Sequence, residues 1–291
     1  MSTTSAAIPK QKPLVPLKHR EYTNSRDVFS WRKRQVTIAL GLLAADGMVF
    51  ATDTEESWGE HADIKTATTK MLSGMVARDE RTGCSFAVAG AGNSDLLQSV
   101  KLELVDNVMC HKEWSYETAG TLTEEYLLRF YRRHVRPYWP HIEDFQLLIG
   151  VSHADQVNAL WGTTQATLRP CMFGYEAIGA GRPYATALLS RLHHTTLGLS
   201  SASLLAVYAI LCVKELIGGC GKATRLVTLS GLTVNQVDPK KIDEVERILK
   251  RWFALDSYML DYVFSHGDDP KHIMTTARSL RSELAAVKLL E

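Results

Sequence analysis

Patterned alternation of apolar and polar residues begins abruptly after Gln35. Thr37-Ile38-Ala39-Leu40-Gly41-Leu42-Leu43 is rich in strand formers, Ala45-Asp46-Gly47 carries the Asp-Gly pair of tight hairpins, and Met48–Asp53 reads as the returning strand. A second hairpin is predicted over Lys70–Val76 and Cys84–Ala89, joined by a polar turn over Ala77–Gly83. Asn93 or Ser94 can cap a helix whose apolar positions Leu96, Leu97, Val100, Leu104 and Val108 keep a helical period. Leu122–Val135 predicts a second helix, stopped by Pro137 and Pro140. Phe145–Val151 and Val157–Trp161 form another strand pair around Ser152–Asp155, and Tyr175–Ile178 a short strand running into Gly179-Ala180-Gly181. Helices follow over Pro183–His194 and Ser201–Leu216, then a strand pair, Arg225–Leu229 and Leu232–Val237, around Ser230-Gly231. The tail from Pro239 is mostly helical. Hairpins, two helices, more hairpins and two more helices predict an α+β protein with sheets between helix layers.

The segment before Gln35 is a different material. Residues 1–36 hold eight Lys/Arg against Glu21 and Asp27, whereas the rest holds 25 basic and 30 acidic groups, so a leader of +6 precedes a body of −5. Pro9, Pro13 and Pro16 make that leader an extended arm, and no apolar run follows its first basic residues, which argues against a secretory signal. The whole chain is near neutral at +1, giving no bulk argument for nucleic acid or a membrane as partner, and no uninterrupted apolar stretch approaches the ~18 residues of a span. Five cysteines without a C-x-x-C pair fit a reducing, cytoplasmic setting better than a disulfide framework.

Glycine clusters first suggest a nucleotide, but the residues do not complete the motifs. Gly90-Ala91-Gly92 and Gly179-Ala180-Gly181 lack the last glycine of G-x-G-x-x-G, with Asp95 and Tyr184 there. Gly221-Lys222 lacks the P-loop's first glycine and its final hydroxyl, having Leu216 and Ala223. His193-His194 point to different helix faces and have no metal-ligand spacing around them, so neither metal nor cofactor is expected.

The first two hairpins carry a more specific order: Thr37 at a strand start, Gly41 four residues on, Asp46-Gly47 at the turn, Ala51-Thr52-Asp53, Lys70, then Ala89-Gly90. In this order the chain resembles the β-type subunits of the proteasome core and their bacterial relatives, among the N-terminal nucleophile hydrolases, and the similarity runs over about residues 37–237. The resemblance implies a four-layer αββα sandwich of two antiparallel sheets between helix layers. It implies a leader or propeptide over 1–36, a catalytic domain over 37–237 and a helical C-terminal extension over 238–291. It also implies a threonine-type endopeptidase that processes itself to expose Thr37 and works on polypeptide inside a homo-oligomeric ring, with an ATPase unfoldase as partner.

In that family a terminal threonine serves as nucleophile and, through its own α-amine (pKa about 8), as base. By resemblance Lys70 sits beside the Thr37 hydroxyl, Asp53 fixes Lys70, and the backbone N–H of Gly90 stabilises the oxyanion. Ser57 falls on the edge where substrate adds as a strand, and Thr68 and Val88 line the first side-chain pocket. The pattern also departs from the family. Val36 replaces the usual glycine before the threonine, and Ala180, Ile217 and Cys220 stand where supporting Ser, Asp and Ser residues are usual. These departures keep two alternatives open, a structural subunit without activity and a small-amide hydrolase of the same superfamily. Trp252, Phe253, Tyr258, Tyr262 and Phe264 make the extension either a subunit interface or a cover for this chain's own core.

Overall fold

The computed structural model describes residues 37–58, 64–76, 83–109, 116–139, 145–153, 157–218, 220–265 and 270–290. The expected leader, the turn at 77–82 and Cys110 lie outside them. In chain order the strands are β1 Ile38–Ala44, β2 Gly47–Asp53, β3 Glu55–Trp58, β4 Ile64–Ala67, β5 Met71–Val76 and β6 Cys84–Gly92. Helices α1 (Ser94–Leu104) and α2 (Tyr116–Phe130) follow, then β7 Phe145–His153, β8 Asn158–Thr164, β9 Thr167–Pro170 and β10 Tyr175–Gly179. Next come α3 (Arg182–Leu192), α4 (Leu199–Leu216), β11 (Thr224–Ser230), β12 (Thr233–Gln236), α5 (Pro239–Ser265) and α6 (Pro270–Val287).

Two five-stranded antiparallel sheets result, ordered β10-β1-β2-β11-β12 and β5-β6-β7-β8-β9, with β3-β4 as a separate ribbon. Alternation along the strands sorts the side chains into three cores. On β1 and β2, Ile38, Leu40, Leu42, Val49 and Ala51 face helices α3, α4 and α5, where Leu189, Ala206, Ile210, Val245 and Leu249 meet them. Ala39, Met48 and Phe50 face the other way, onto Ala87, Ala89, Leu148 and Leu160 of the second sheet. That sheet's opposite face, with Phe86, Val88, Leu147 and Ile149, is covered by Leu97, Val100 and Leu104 of α1 and by Leu127 and Phe130 of α2. Helix, sheet, sheet, helix: the four-layer sandwich is as expected. At Gly150 the space between the sheets is filled by the facing side chains: a Cβ there would lie 2.4 Å from the Phe50 ring.

The hairpins and helices fall near the predicted positions. Asn93 caps α1 by accepting from the N–H groups of Asp95 and Leu96 at 3.1 Å each. Three strands were not expected: β3 and β4, which read Glu-Glu-Ser-Trp and Ile-Lys-Thr-Ala, and β9, which reads Thr-Leu-Arg-Pro. α2 begins at Tyr116, before the predicted Leu122, with Ala119 buried. The first part of the C-terminal extension closes this chain's own core. Ile242, Val245 and Leu249 are buried over the first sheet, and Glu246 binds Lys214 of α4 at 2.7 Å. Among the described residues α4 is the one helix long and apolar enough to cross a membrane, yet eight of its residues, Ala206 and Ile210 among them, pack in the protein core.

Candidate active site

β1, β2 and the lead into β5 converge where both sheets begin. β2 is seven buried residues ending on Asp53, and burial on both faces there requires that the carboxylate be bonded. It is. Asp53 Oδ1 accepts from Lys70 Nζ at 2.8 Å and from the Ile38 N–H at 3.1 Å, while Oδ2 accepts from the Gly221 N–H at 3.2 Å. Asp53 has no exposed surface and Lys70 only 6%, so the pair is shielded from salt and solvent. Burial pushes the Asp53 carboxyl above the ordinary carboxylate range, against the opposing pull of the Lys70 charge and the N–H donors. Lys70 Nζ also donates to the Glu55 carbonyl.

Thr37 precedes the residue whose N–H Asp53 holds. It is buried at 4% exposure, and its carbonyl accepts from the Gly181 N–H at 3.3 Å. Gly179 makes that approach: its φ of +91° favours glycine, and a Cβ there would lie 2.2 Å from the Thr37 carbonyl oxygen. The structure thus gathers Asp53, Lys70 and the start of β1.

The remaining predicted residues are placed as follows. The Gly90 N–H donates at 3.0 Å to the Lys70 carbonyl, so in this structure the expected oxyanion donor is engaged inside the sheet ladder. Val88 has no exposed surface and packs under α1 and α2, as core and not as an open pocket wall. Thr68 is half-buried, and its N–H donates to the Thr54 carbonyl at 2.9 Å. Ser57 lies on β3 opposite Lys65, with one edge of its strand paired to β4.

One residue at the site escaped the sequence reading, and Cys220 was read only as the replacement of a supporting serine. Glu55, 5% exposed, lays its carboxylate against Gly221, where a Cβ would meet Oε2 at 2.4 Å. It lies two residues beyond Asp53, and the period of two along extended chain was the available signal. Cys220 is buried beside the same groups. Burial pushes its thiol up to about 12, with the Asp53 and Glu55 charges adding to the rise and Lys70 opposing it. Among the described residues no group of His, Cys, Asp and Glu could hold a metal ion, and the described cysteines are free thiols.

The layer order, two five-stranded antiparallel sheets between helix layers, is the four-layer αββα fold of the N-terminal nucleophile hydrolases. No family model and no curated protein matches the sequence. Solved structures do match in shape. The Anbu complex from Pseudomonas aeruginosa, determined as a helical assembly, superposes with a TM-score of 0.61 over 77% of this chain and 96% of its own, at 18% identity. Anbu, or ancestral beta-subunit, from Yersinia bercovieri gives 0.61 over 80% of this chain and 98% of its own, at 16% identity. A Gly-1 mutant of Anbu from Hyphomicrobium sp. strain MC1 gives 0.60 over 77% and 99%, at 15% identity.

At these identities the likeness is one of fold. It nevertheless corrects the resemblance drawn from sequence: these structures are Anbu proteins, a proteasome-like but distinct family, and identity as a proteasome β-type peptidase is not supported.

Proposed function

We propose that this chain is an Anbu-like threonine hydrolase subunit, cut between Val36 and Thr37 and acting on peptide bonds. The observation supporting the reading is the buried Asp53 carboxylate, which joins Lys70 to the N–H next to Thr37. A group so costly to desolvate is retained where it positions a charge.

The chemistry balances with these groups alone. The Thr37 hydroxyl oxygen bonds to the substrate carbonyl carbon as its proton passes to the freed Thr37 α-amine, directly or through water. The carbonyl π pair moves to oxygen. When the tetrahedral species collapses, the C–N bond breaks and the departing amine takes that proton. Water then adds to the acyl ester and restores the threonine. Lys70 supplies positive charge beside the hydroxyl, and Asp53 fixes its place. Ser57 and Thr68 would meet the peptide along β3 and at the lead into β5.

Assembly of copies of this chain, as in the helical Anbu complex, is part of the proposal, with an ATPase unfoldase as the partner that would feed it polypeptide. A second reading, a structural subunit without activity, draws on Val36, Ala180, Ile217 and Cys220 and on the engaged Gly90 N–H.

Intact mass of the expressed protein separates the two. A main species beginning at Thr37 that turns over fluorogenic peptides, with Thr37→Ala inert, supports the hydrolase. Full-length chain persisting in the assembled particle without turnover supports the structural subunit. Turnover of small amides but not peptides would move the substrate class and keep the nucleophile.

A further inference from the structure

With the Gly90 N–H engaged by the Lys70 carbonyl, the oxyanion needs another donor, and the inner face of the second sheet offers one. On β7, Phe145, Leu147 and Ile149 face the helices, so Gln146, in alternation with Leu148, faces the first sheet. It stands opposite Ala91 in the β6–β7 register. Ala91 in turn lies 3.2 Å from where a Gly179 Cβ would be, beside the Thr37 carbonyl.

The Gln146 side chain spans the gap between the sheets: its Oε1 accepts from the Gly179 N–H at 3.3 Å. Because an N–H can only donate, that bond fixes which end of the amide is oxygen. The NH2 end, with two protons to donate, has no protein acceptor among the described residues, and the residue is half-buried, not sealed.

We infer that Gln146 is the catalytic donor to the substrate carbonyl oxygen, its Nε2 taking the part expected of the Gly90 N–H. The inference rests on the hydrolase reading above. A neutral amide suits that part: it donates to a developing negative charge without bringing a proton that could be lost, and its orientation is set in advance by Gly179.

Two substitutions separate donation from scaffolding. Gln146→Leu removes both ends of the amide. Gln146→Glu keeps an oxygen to accept from Gly179 and removes the donor. The processed, assembled protein is assayed for peptide turnover and for affinity toward a peptide boronate, whose boron takes the Thr37 oxygen and carries a negative tetrahedral centre. Both variants are expected to lose about 100-fold or more in kcat with KM changed less than about threefold, as for other single oxyanion donors. Boronate affinity should fall in parallel.

A Gln146→Glu protein that turns over and binds boronate like the unsubstituted one overturns the inference, leaving Gln146 as a prop for Gly179. So does a Gln146→Leu protein with undiminished kcat. If the unsubstituted protein shows neither turnover nor boronate binding that depends on Thr37, the hydrolase reading itself fails, a result visible before any Gln146 variant is measured.

Discussion

Asp53 and Lys70, seventeen residues apart in the chain, meet at 2.8 Å with almost no surface left to water. The carboxylate's other two bonds, to the N–H groups of Ile38 and Gly221, make it a junction between β1 and the turn before β11. Removing one partner strands the other as a buried, unpaired charge. Asp53→Ala and Lys70→Met should therefore each lower stability by about 3–5 kcal/mol. The double variant should lose clearly less than the sum, because no stranded charge remains. Guanidinium midpoints of the four proteins check this, and additive losses would mean the pair is not coupled.

Gly179 tests how tightly Thr37 is held. Gly179→Ala meets two obstacles: a φ of +91° and a Cβ only 2.2 Å from the Thr37 carbonyl oxygen. Strain of this kind costs about 1–3 kcal/mol, and relief requires displacing either Thr37 or the end of β10. The melting temperature should fall, and any cleavage before Thr37 should slow much more than stability alone accounts for. Gly198→Ala is a control, since a Cβ there meets nothing within 4 Å.

Much of this arrangement was legible in the sequence. β1 and β2 announced themselves through strand formers around Asp46-Gly47, and burial of both strands on both faces follows from that composition. The resemblance, not spacing alone, singled out Thr37, Asp53 and Lys70; in the structure Asp53 bonds Lys70 and the N–H of Ile38, next to Thr37. The β3–β4 ribbon was not readable: Glu55, Glu56, Lys65 and Thr66 give no apolar face, so neither strand carries an alternation. Glu55 was passed over for the same reason, although its two-residue offset from Asp53 puts it near Gly221. The direction of a backbone N–H is set by sheet register, which is why Gly90 could be chosen as a small residue near the site but not as an engaged donor. For the C-terminal extension, the period of Ile242, Val245 and Leu249 marks a buried face, but only the fold shows that it lies against this chain's own first sheet.

Lys101 of α1 carries a pH dependence of its own. It is 5% exposed, and its ammonium donates to the Thr69 carbonyl at 3.1 Å, next to Lys70. Burial brings its pKa down to about 8 from the ordinary 10.5. Between those values the unfolded chain binds a proton that the folded chain does not, so stability rises with pH across that window. Below pH 8 the penalty is present in full and constant. The Lys101 contribution between pH 7 and pH 10 amounts to at most about 3 kcal/mol. Lys101→Met should flatten the rise by that share, which urea midpoints at the two pH values will show. An unchanged slope would mean that the lysine reaches water in the folded state.

Cys220 sits among the site's charges without the properties of a nucleophile. It is 4% exposed, and burial together with the Asp53 and Glu55 charges holds its thiol at about 12, so almost none is thiolate at pH 8. An ordinary cysteine, with a pKa near 8.5, is about a quarter thiolate at that pH, and alkylation proceeds only through the thiolate. Ionisation alone should therefore slow the reaction of Cys220 with iodoacetamide more than about a thousandfold in the folded protein. Limited access slows it further. Peptide mapping after timed alkylation should find Cys220 unlabelled in the native state and fully labelled in denaturant. Native labelling at the denatured rate would instead show a stabilised thiolate beside Lys70, and with it a second nucleophile competing with the Thr37 hydroxyl.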